Sequence, residues 1–131
     1  MFYRKSLKPY LITLCIMQWP GYACADNSAE INADVLLEQI EAGNSPAILD
    51  TRSGFEFKSS HVPGAQHFPF WMSYMRADDL DLPKDQPIVV YCAHGPRAVV
   101  AKHALEKNGF SNVVLLKGHM TGWKKSGLPV E

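Results

Sequence analysis

The chain has 131 residues, of which 47% are hydrophobic, and its 13 basic residues balance its 13 acidic residues. This length and apolar content predict one compact domain with a hydrophobic core. Because there is no basic excess, the composition gives no indication of a nucleic-acid-binding face.

Residues 1–25 are predicted to be a secretory signal peptide. The segment contains three basic residues, Arg4, Lys5 and Lys8. An apolar run follows over residues 9–17, and Ala23-Cys24-Ala25 has the small residues of a cleavage site. The run is far shorter than the ~20 residues that a membrane-spanning helix needs. We therefore predict cleavage before Asp26, a periplasmic domain over residues 26–131 and no stable membrane span; a membrane anchor and lipidation of Cys24 are the alternatives.

Cleavage would leave Cys92 as the single cysteine, because Cys15 and Cys24 belong to the leader. The remaining domain would have 10 basic and 13 acidic residues. One cysteine cannot form an internal disulfide, and an unpaired thiol in an oxidising compartment is open to oxidation. Such a thiol is either a small buried hydrophobe or a functional group; the strand and helix predicted around Cys92 favour the functional group.

The domain is predicted to begin with a helix and a buried strand. Asn32 is expected to cap a helix that continues to Ala42 and stops at Gly43. The apolar segment Ala47–Asp50 is predicted to be a strand that ends in an acidic residue.

The middle of the chain is predicted to be less regular. Residues 53–60 are expected to form a short helical turn anchored by Phe55 and Phe57, and residues 65–68 a short strand. Residues 69–80 are expected to be irregular or helical and carry five large apolar side chains, Phe70, Trp71, Met72, Tyr74 and Met75. We expect at least half of these five in the core; the alternative is that they line a pocket mouth or dock a protein acceptor.

The last part of the chain is predicted to contain two strands, each followed by a helix. The β-branched segment 88–90 is the first strand, and residues 97–108 form a helix that stops at Gly109. The apolar face of that helix is expected to comprise Val100, Ala101, Ala104 and Leu105. Val113–Leu116 is predicted to be the second strand, and residues 118–129 a short terminal helical segment.

Strands and helices thus alternate, and the strands are apolar throughout instead of at every second position. This pattern predicts an α/β fold with a parallel sheet covered by helices on both faces. Ligands of such sheets bind beyond the carboxyl ends of the strands. Asp50 and Cys92 are both expected at that edge.

Cys92 lies between a predicted strand and a predicted helix. Main-chain N–H groups and the positive end of the helix dipole are therefore expected to face its thiol. The pKa of a thiol near helix N-termini and cations falls from about 8.5 to roughly 3.5–7.5. We expect Cys92 to be an exposed nucleophilic thiolate that needs no dedicated base.

Three motifs occur in order along the domain. The first is Leu49-Asp50-Thr51-Arg52 followed by Glu56-Phe57 and His61-Val62-Pro63-Gly64-Ala65, the second is the Cys92 loop, and the third is Trp123 with Gly127-Leu128-Pro129. Together they resemble the rhodanese family of sulfurtransferases over about residues 31–130, and its small single-domain periplasmic members in particular. The resemblance implies a rhodanese-like α/β fold with a mostly parallel central sheet of about five strands and helices on both faces.

The resemblance also implies roles for individual residues. Cys92 would be catalytic, and the loop after it would bind the substrate through Ala93, His94, Gly95, Pro96, Arg97 and Ala98. Loop N–H groups would hold the negative charge of a persulfide. Arg97 would be a direct cation or an anchor of the loop, and His94 would donate to anionic oxygens or face solvent. Asp50 and Arg52 are expected to brace the site.

The implied reaction moves sulfane sulfur from thiosulfate, or a persulfide donor, to cyanide or an acceptor thiol through a persulfide on Cys92. A protein thiol is one candidate acceptor. No organic cofactor is required, because sulfur itself is the carried group. No metal is expected either, because the five histidines lack the spacing of a zinc site.

Three positions depart from the family pattern. Ala93 stands where active members often have arginine, and Ala98 where serine or threonine is common. His119 replaces the second glycine of a frequent Gly-Gly pair and is expected to reshape the pocket wall. The missing cation and hydroxyl make a catalytically weak module, for partner binding or sulfane-sulfur carriage, the main alternative function.

A cysteine phosphatase or arsenate reductase is a further alternative. Arg97 follows Cys92 by five positions, one fewer than in those enzymes. The resemblance implies that the shorter loop goes with attack on sulfur, and a loop of this length leaves less room for a tetrahedral oxyanion. A thiol oxidoreductase is disfavoured, because no second cysteine would remain after cleavage.

Overall fold

The computed structural model describes residues 29–131, and the predicted leader over residues 1–25 lies outside this range. Its centre is a parallel sheet with the spatial order β1-β5-β4-β2-β3. The strands are β1 (Glu30–Ile31), β2 (Ala47–Asp50), β3 (Gln66–His67), β4 (Ile88–Tyr91) and β5 (Val113–Leu116). The predicted parallel α/β fold is therefore confirmed.

Helices connect and follow these strands. They are α1 (Ala33–Glu41), α2 (Gly54–Ser59), α3 (Met72–Met75), α4 (Pro96–Lys107) and α5 (His119–Lys125), with a 3₁₀ turn at Ala77–Asp79. None of the helices within residues 29–131 has the length and apolar content to cross a membrane.

Strand β1 is the element that the sequence did not predict. Its two residues pair with the end of β5, Glu30 with Leu115 and Ile31 with Leu116. A strand of two residues is too short to leave a periodic pattern in the sequence. The pairing places the start of α1 beside the last strand and completes the expected number of about five strands.

The core has one layer on each face of the sheet, because neighbouring residues of a strand point to opposite faces. On one face, Val90 of β4 belongs to the same buried cluster as Leu105 of α4. On the other face, Val89 of β4 clusters with Leu36 of α1 and Trp123 of α5. The helices on both faces fix where the loops at the carboxyl ends of the strands can lie.

The predicted role of Phe55 as an apolar anchor of α2 is wrong. Its side chain is 85% exposed. Phe57 is the half-buried one, and its ring stacks on His61 with 3.9 Å between ring centroids. Because α2 has only six residues, it turns one narrow side toward the sheet and leaves the other in solvent.

The prediction that at least half of the five large apolar residues after Pro69 lie in the core is also wrong. Trp71, Tyr74 and Met75 are exposed, and Phe70 and Met72 are only half-buried. The buried residue of α3 is Ser73. A helix of four residues cannot bury side chains that point in several directions.

The buried face of α4 differs slightly from the predicted face. Ala98, Ala101, Ala104 and Leu105 are buried, whereas Val100 is half-buried. The helix begins at Pro96, where the missing N–H of proline costs nothing. Ala98 therefore occupies the first turn of the helix and packs under the Cys92 loop.

Candidate active site

Cys92 follows the last residue of β4 and precedes α4, as predicted. The chain turns through Gly95, whose φ of 135° is accessible to glycine and strained for other residues. This turn directs the Gly95 N–H at the Cys92 sulfur, with 3.0 Å between N and Sγ. The strand end and the helix start thus wrap main-chain donors around one thiol.

The Cys92 residue is 1% exposed, so the expected exposed thiolate is a buried one. Burial by itself would raise the pKa of the thiol, but hydrogen bonds from the His119 side chain and from the main chain of Ala98, Gly95 and His94 outweigh it. The net effect lowers the pKa of Cys92 from 9.0 to about 7. The thiol is therefore substantially ionised near neutral pH.

The first turn of α5 covers the Cys92 loop. Met120 donates its main-chain N–H to the Cys92 carbonyl at 2.9 Å, and Thr121 donates to the Ala93 carbonyl at 3.2 Å. The Cys92 N–H donates in turn to Nδ1 of His119 at 3.3 Å. These contacts explain the burial of the thiol, and they place His119 in the pocket wall.

Arg97 forms a bidentate ion pair with Glu56 of α2. Its Nη1 and Nη2 donate to the two carboxylate oxygens at 2.8 and 3.0 Å. The guanidinium holds the pKa of Glu56 well below its usual range. The same carboxylate accepts the N–H of Ser53 at 2.9 Å and completes a capping box at the start of α2. This geometry fits Arg97 as an anchor of the loop, because its charge is already paired.

Asp50 and Arg52 pair with each other at the carboxyl end of β2. Nη2 of Arg52 lies 2.6 Å from the Asp50 carboxylate and 2.6 Å from the Ser60 carbonyl. The hydroxyl of Tyr91 donates to Asp50 at 2.8 Å and accepts the Val62 N–H at 3.0 Å. Burial raises the pKa of Tyr91 further above its usual range, so the hydroxyl stays a donor.

Tyr91 and Glu56 belong to this site, although the sequence patterns do not assign either of them to it. The available signal for Tyr91 was a hydroxyl at the end of an otherwise apolar strand, because a buried hydroxyl needs a partner. The signal for Glu56 was its position three residues after Ser53, which is typical of a capping box. Neither pattern indicates the partner elsewhere in the chain, which is Asp50 for Tyr91 and Arg97 for Glu56.

A cleft of about 230 Å³ opens beside the Cys92 loop. Its lining residues are Arg52, Phe55, Glu56, Ser59, Ala93, Met120, Thr121 and Lys124. Ala93 is therefore at the cleft wall, where its small side chain leaves space. His94 is exposed at the rim and lies 3.2 Å from the Thr121 hydroxyl. Pro96 is exposed, and Ala98 is buried beneath the loop.

Within residues 29–131, no three His, Cys, Asp or Glu side chains are close enough together to hold a metal ion. The site is thus a buried thiol with a lowered pKa, surrounded by main-chain donors and next to a small open cleft. Chemically, such an arrangement can hold an anion on sulfur.

Comparisons with known proteins agree with this geometry. A family model described as a rhodanese-like domain matches residues 32–126. The chain is 32% identical over 108 residues to a thiosulfate sulfurtransferase, GlpE, of Actinobacillus pleuropneumoniae, covering 82% of this chain and 96% of that protein. It is also 32% identical over 107 residues to a probable adenylyltransferase/sulfurtransferase, MoeZ, of Mycobacterium tuberculosis.

The match to MoeZ covers 82% of this chain but spans only 27% of MoeZ. Among solved structures, the Alr3790 protein from Anabaena superposes with a TM-score of 0.70 at 33% identity, over 77% of this chain and 90% of the other.

Proposed function

This chain belongs to the family of rhodanese-like domains, and from that premise we propose that it moves sulfane sulfur from thiosulfate, or from a persulfide donor, to cyanide or a thiol. Its relatives support a rhodanese-type sulfurtransferase. The observation that carries the specific reaction is the Cys92 thiol, whose pKa is lowered to about 7 by the donors around it.

The first step is attack of the Cys92 thiolate on the outer sulfur of thiosulfate. A new S–S bond forms, the S–S bond of thiosulfate breaks, and sulfite leaves with the electron pair. Cys92 then carries one extra sulfur as a persulfide anion. In the second step, cyanide attacks this outer sulfur, thiocyanate leaves, and the thiolate returns. An acceptor thiol would take the sulfur in the same way.

The loop favours both anionic states of this cycle. Donors that are already oriented toward Sγ stabilise the thiolate without reorganisation, and they remain one atom away when the charge moves to the outer sulfur. Gly95 is the clearest example, with its N–H 3.0 Å from Sγ. Because the persulfide anion is larger than the thiolate, its outer sulfur would extend from the buried position toward the cleft.

Lys124 is a candidate replacement for the cation that is missing at Ala93. Its side chain is exposed, and both residues line the same cleft. The other two cations near the cleft, Arg52 and Arg97, are already paired with carboxylates. Lys124 would attract a dianionic donor such as thiosulfate without contacting the thiol itself.

The reaction can be tested by intact mass and by turnover on the reduced protein. Incubation with thiosulfate is expected to add one sulfur atom to the wild type, and subsequent cyanide is expected to remove it as thiocyanate. Cys92→Ser is the matched control, since it replaces sulfur by oxygen and should do neither. Turnover of an aryl phosphate that depends on Cys92, without added sulfur, would contradict the proposal and indicate a phosphatase.

A sulfane-sulfur carrier or partner-binding module is the second candidate. The burial of Cys92, at 1% exposure, favours it together with Ala93 and Ala98, because access and electrostatic attraction are both reduced. A carrier is expected to form the persulfide but to produce thiocyanate slowly. A pure binding module is expected to form neither the persulfide nor thiocyanate, both as the wild type and as Cys92→Ser.

We also propose that the domain works in the periplasm after removal of residues 1–25. The basic start and the Ala23-Cys24-Ala25 site support this proposal. The protein recovered from a periplasmic fraction is expected to have an intact mass that begins at Asp26. Recovery of the full chain from the cytoplasm, or of a lipidated Cys24, would contradict it.

A further inference from the structure

His119 has an unusual main-chain conformation. Among residues 29–131 it is the only non-glycine residue with a positive φ, at 52°. In this left-handed region the β-carbon crowds the main chain, so glycine is favoured and other residues are uncommon there. The His119 residue is nevertheless buried, with 7% of its surface exposed. Its contacts indicate why an imidazole is held there.

The imidazole lies against the Cys92 loop at both ends of the ring. Nδ1 accepts the Cys92 N–H at 3.3 Å. Nε2 lies 3.3 Å from the position that a β-carbon on Gly95 would occupy. The ring therefore spans the turn whose N–H groups surround the sulfur. When Nδ1 accepts a hydrogen bond, a neutral ring carries its proton on Nε2.

We propose that His119 is a positioning residue for sulfur transfer, which holds the Cys92 main chain through Nδ1 and keeps an imidazole against the Cys92 loop, where it favours the anionic sulfur. This inference rests on the proposed function, and it goes beyond that function by assigning a role to a residue that departs from the family pattern. In this role the imidazole positions the loop and takes no part in bond breaking.

The electrostatics around the thiol support this role. Burial raises the pKa of Cys92, and the largest effect that opposes it is the hydrogen bond with the His119 side chain. No other side chain contributes to that lowering as strongly as His119. A glycine at 119 would leave only the main-chain donors.

Few other titratable or charged groups lie near His119 and Cys92. The Cys92 loop contributes His94, and α4 contributes Arg97, whose charge is paired with Glu56 of α2. The end of β2 contributes the Asp50 and Arg52 pair. Lys124 of α5 lies at the cleft. Because the two arginines are already paired with carboxylates, the pH dependence of alkylation is expected to follow the ionisation of Cys92.

The inference can be tested by the rate of Cys92 alkylation with iodoacetamide between about pH 5 and about pH 9 on the reduced protein. The wild type is expected to show a midpoint near 7. In His119→Gly, the midpoint should rise by about one pH unit, and alkylation at acidic pH should slow by roughly tenfold. Glycine accepts the left-handed conformation, so this variant changes the side chain without straining the main chain.

His119→Asn is the second variant, because asparagine tolerates the left-handed region and can accept the Cys92 N–H but does not titrate. It should keep the fold and still raise the midpoint. His103→Asn is the matched control, since His103 is exposed on α4, and its midpoint should equal that of the wild type.

A folded His119→Gly or His119→Asn protein with the wild-type midpoint would overturn the inference. Alkylation requires no sulfur donor, so the result does not depend on whether thiosulfate is the substrate. Conversely, the wild type could form the persulfide while His119→Gly and His119→Asn both keep the wild-type alkylation midpoint. That result would contradict the inference and leave the proposed function intact.

Discussion

At the scale of single residues, the ionisation of Cys92 depends on the balance of two effects. Burial disfavours a charged sulfur, and hydrogen-bond donors favour it. The donors prevail, because the pKa falls to about 7 although the residue is 1% exposed. The pKa of a thiol that is hidden from solvent is thus lowered by main-chain donors and by one imidazole.

The lowered pKa predicts a pH dependence of stability. An unfolded thiol titrates near 9.0 and the folded thiol near 7, so the unfolded chain binds more protons between these values. Under reducing conditions the free energy of unfolding should therefore rise by about 2 kcal/mol from pH 7 to pH 9. This gain is lost as the pH falls through the folded pKa.

Denaturant unfolding of the wild type and of Cys92→Ser at several pH values measures this contribution. Subtracting the free energy of unfolding of Cys92→Ser from that of the wild type at each pH removes the contributions of the other titratable groups. If the free energies of unfolding of the two proteins change with pH in parallel across this range, the folded thiol titrates like an unfolded one.

At the scale of elements, the site is assembled from loops that the parallel sheet brings to one edge. The helix α2 is only six residues long and buries no residue, so it depends on contacts at its ends. Glu56 provides them by capping α2 through Ser53 and by pairing with Arg97 at the start of α4. One carboxylate thus joins the loop after β2 to the loop after β4.

Glu56→Gln is expected to lower the free energy of unfolding by about 1 to 2 kcal/mol, because it removes a charge-assisted bidentate pair that is partly exposed to solvent. Since the folded state lowers the pKa of Glu56, its contribution is present above the usual pKa of 4.5 and is lost below it. The variant should therefore lose less stability than the wild type on acidification.

Glu106→Gln is the matched control for Glu56→Gln. Glu106 pairs with Lys102 across one turn of α4 on the surface, and its loss should cost only about 0.5 kcal/mol. Chemical denaturation near neutral and acidic pH measures both variants. Equal effects of the two substitutions would show that the Glu56 pair behaves as an ordinary surface pair.

At the scale of the whole molecule, α5 connects the core to the active site. Trp123 is fully buried on one face of the sheet, and its indole N–H donates to the Pro129 carbonyl at 2.8 Å. The same helix begins at His119 and is bonded to the Cys92 loop through Met120. Packing of α5 against the sheet therefore sets the position of the pocket wall.

Trp123→Ala is expected to destabilise the protein by about 3 to 5 kcal/mol, because it opens a large cavity and removes a buried hydrogen bond. Trp71→Ala is the matched control, since Trp71 is 52% exposed, and it should change stability by less than about 0.5 kcal/mol. Denaturant unfolding measures both. A large loss in Trp71→Ala would indicate that the exposed surface of α3 is covered in the native protein.

Local sequence patterns predicted the order of the elements from α1 onward, the parallel sheet and the position of the Cys92 loop. Apolar runs such as β4 and helical spacing in α4 are local patterns, and the turn residues between them limit where the elements end. The exposure of Trp71 and Tyr74 was not predictable in the same way, because side-chain type does not indicate which side of a four-residue helix meets the core.

The surroundings of Cys92 depend on tertiary contacts, which the sequence patterns do not indicate. The contacts of Arg97 with Glu56, of Tyr91 with Asp50 and of His119 with Cys92 join residues that are 41, 41 and 27 positions apart. The three-dimensional path of the chain sets these distances, whereas sequence periodicity reports only on residues within one element. For this reason the burial of the thiol and its lowered pKa emerged from packing, although the cysteine itself was evident from its place between strand and helix.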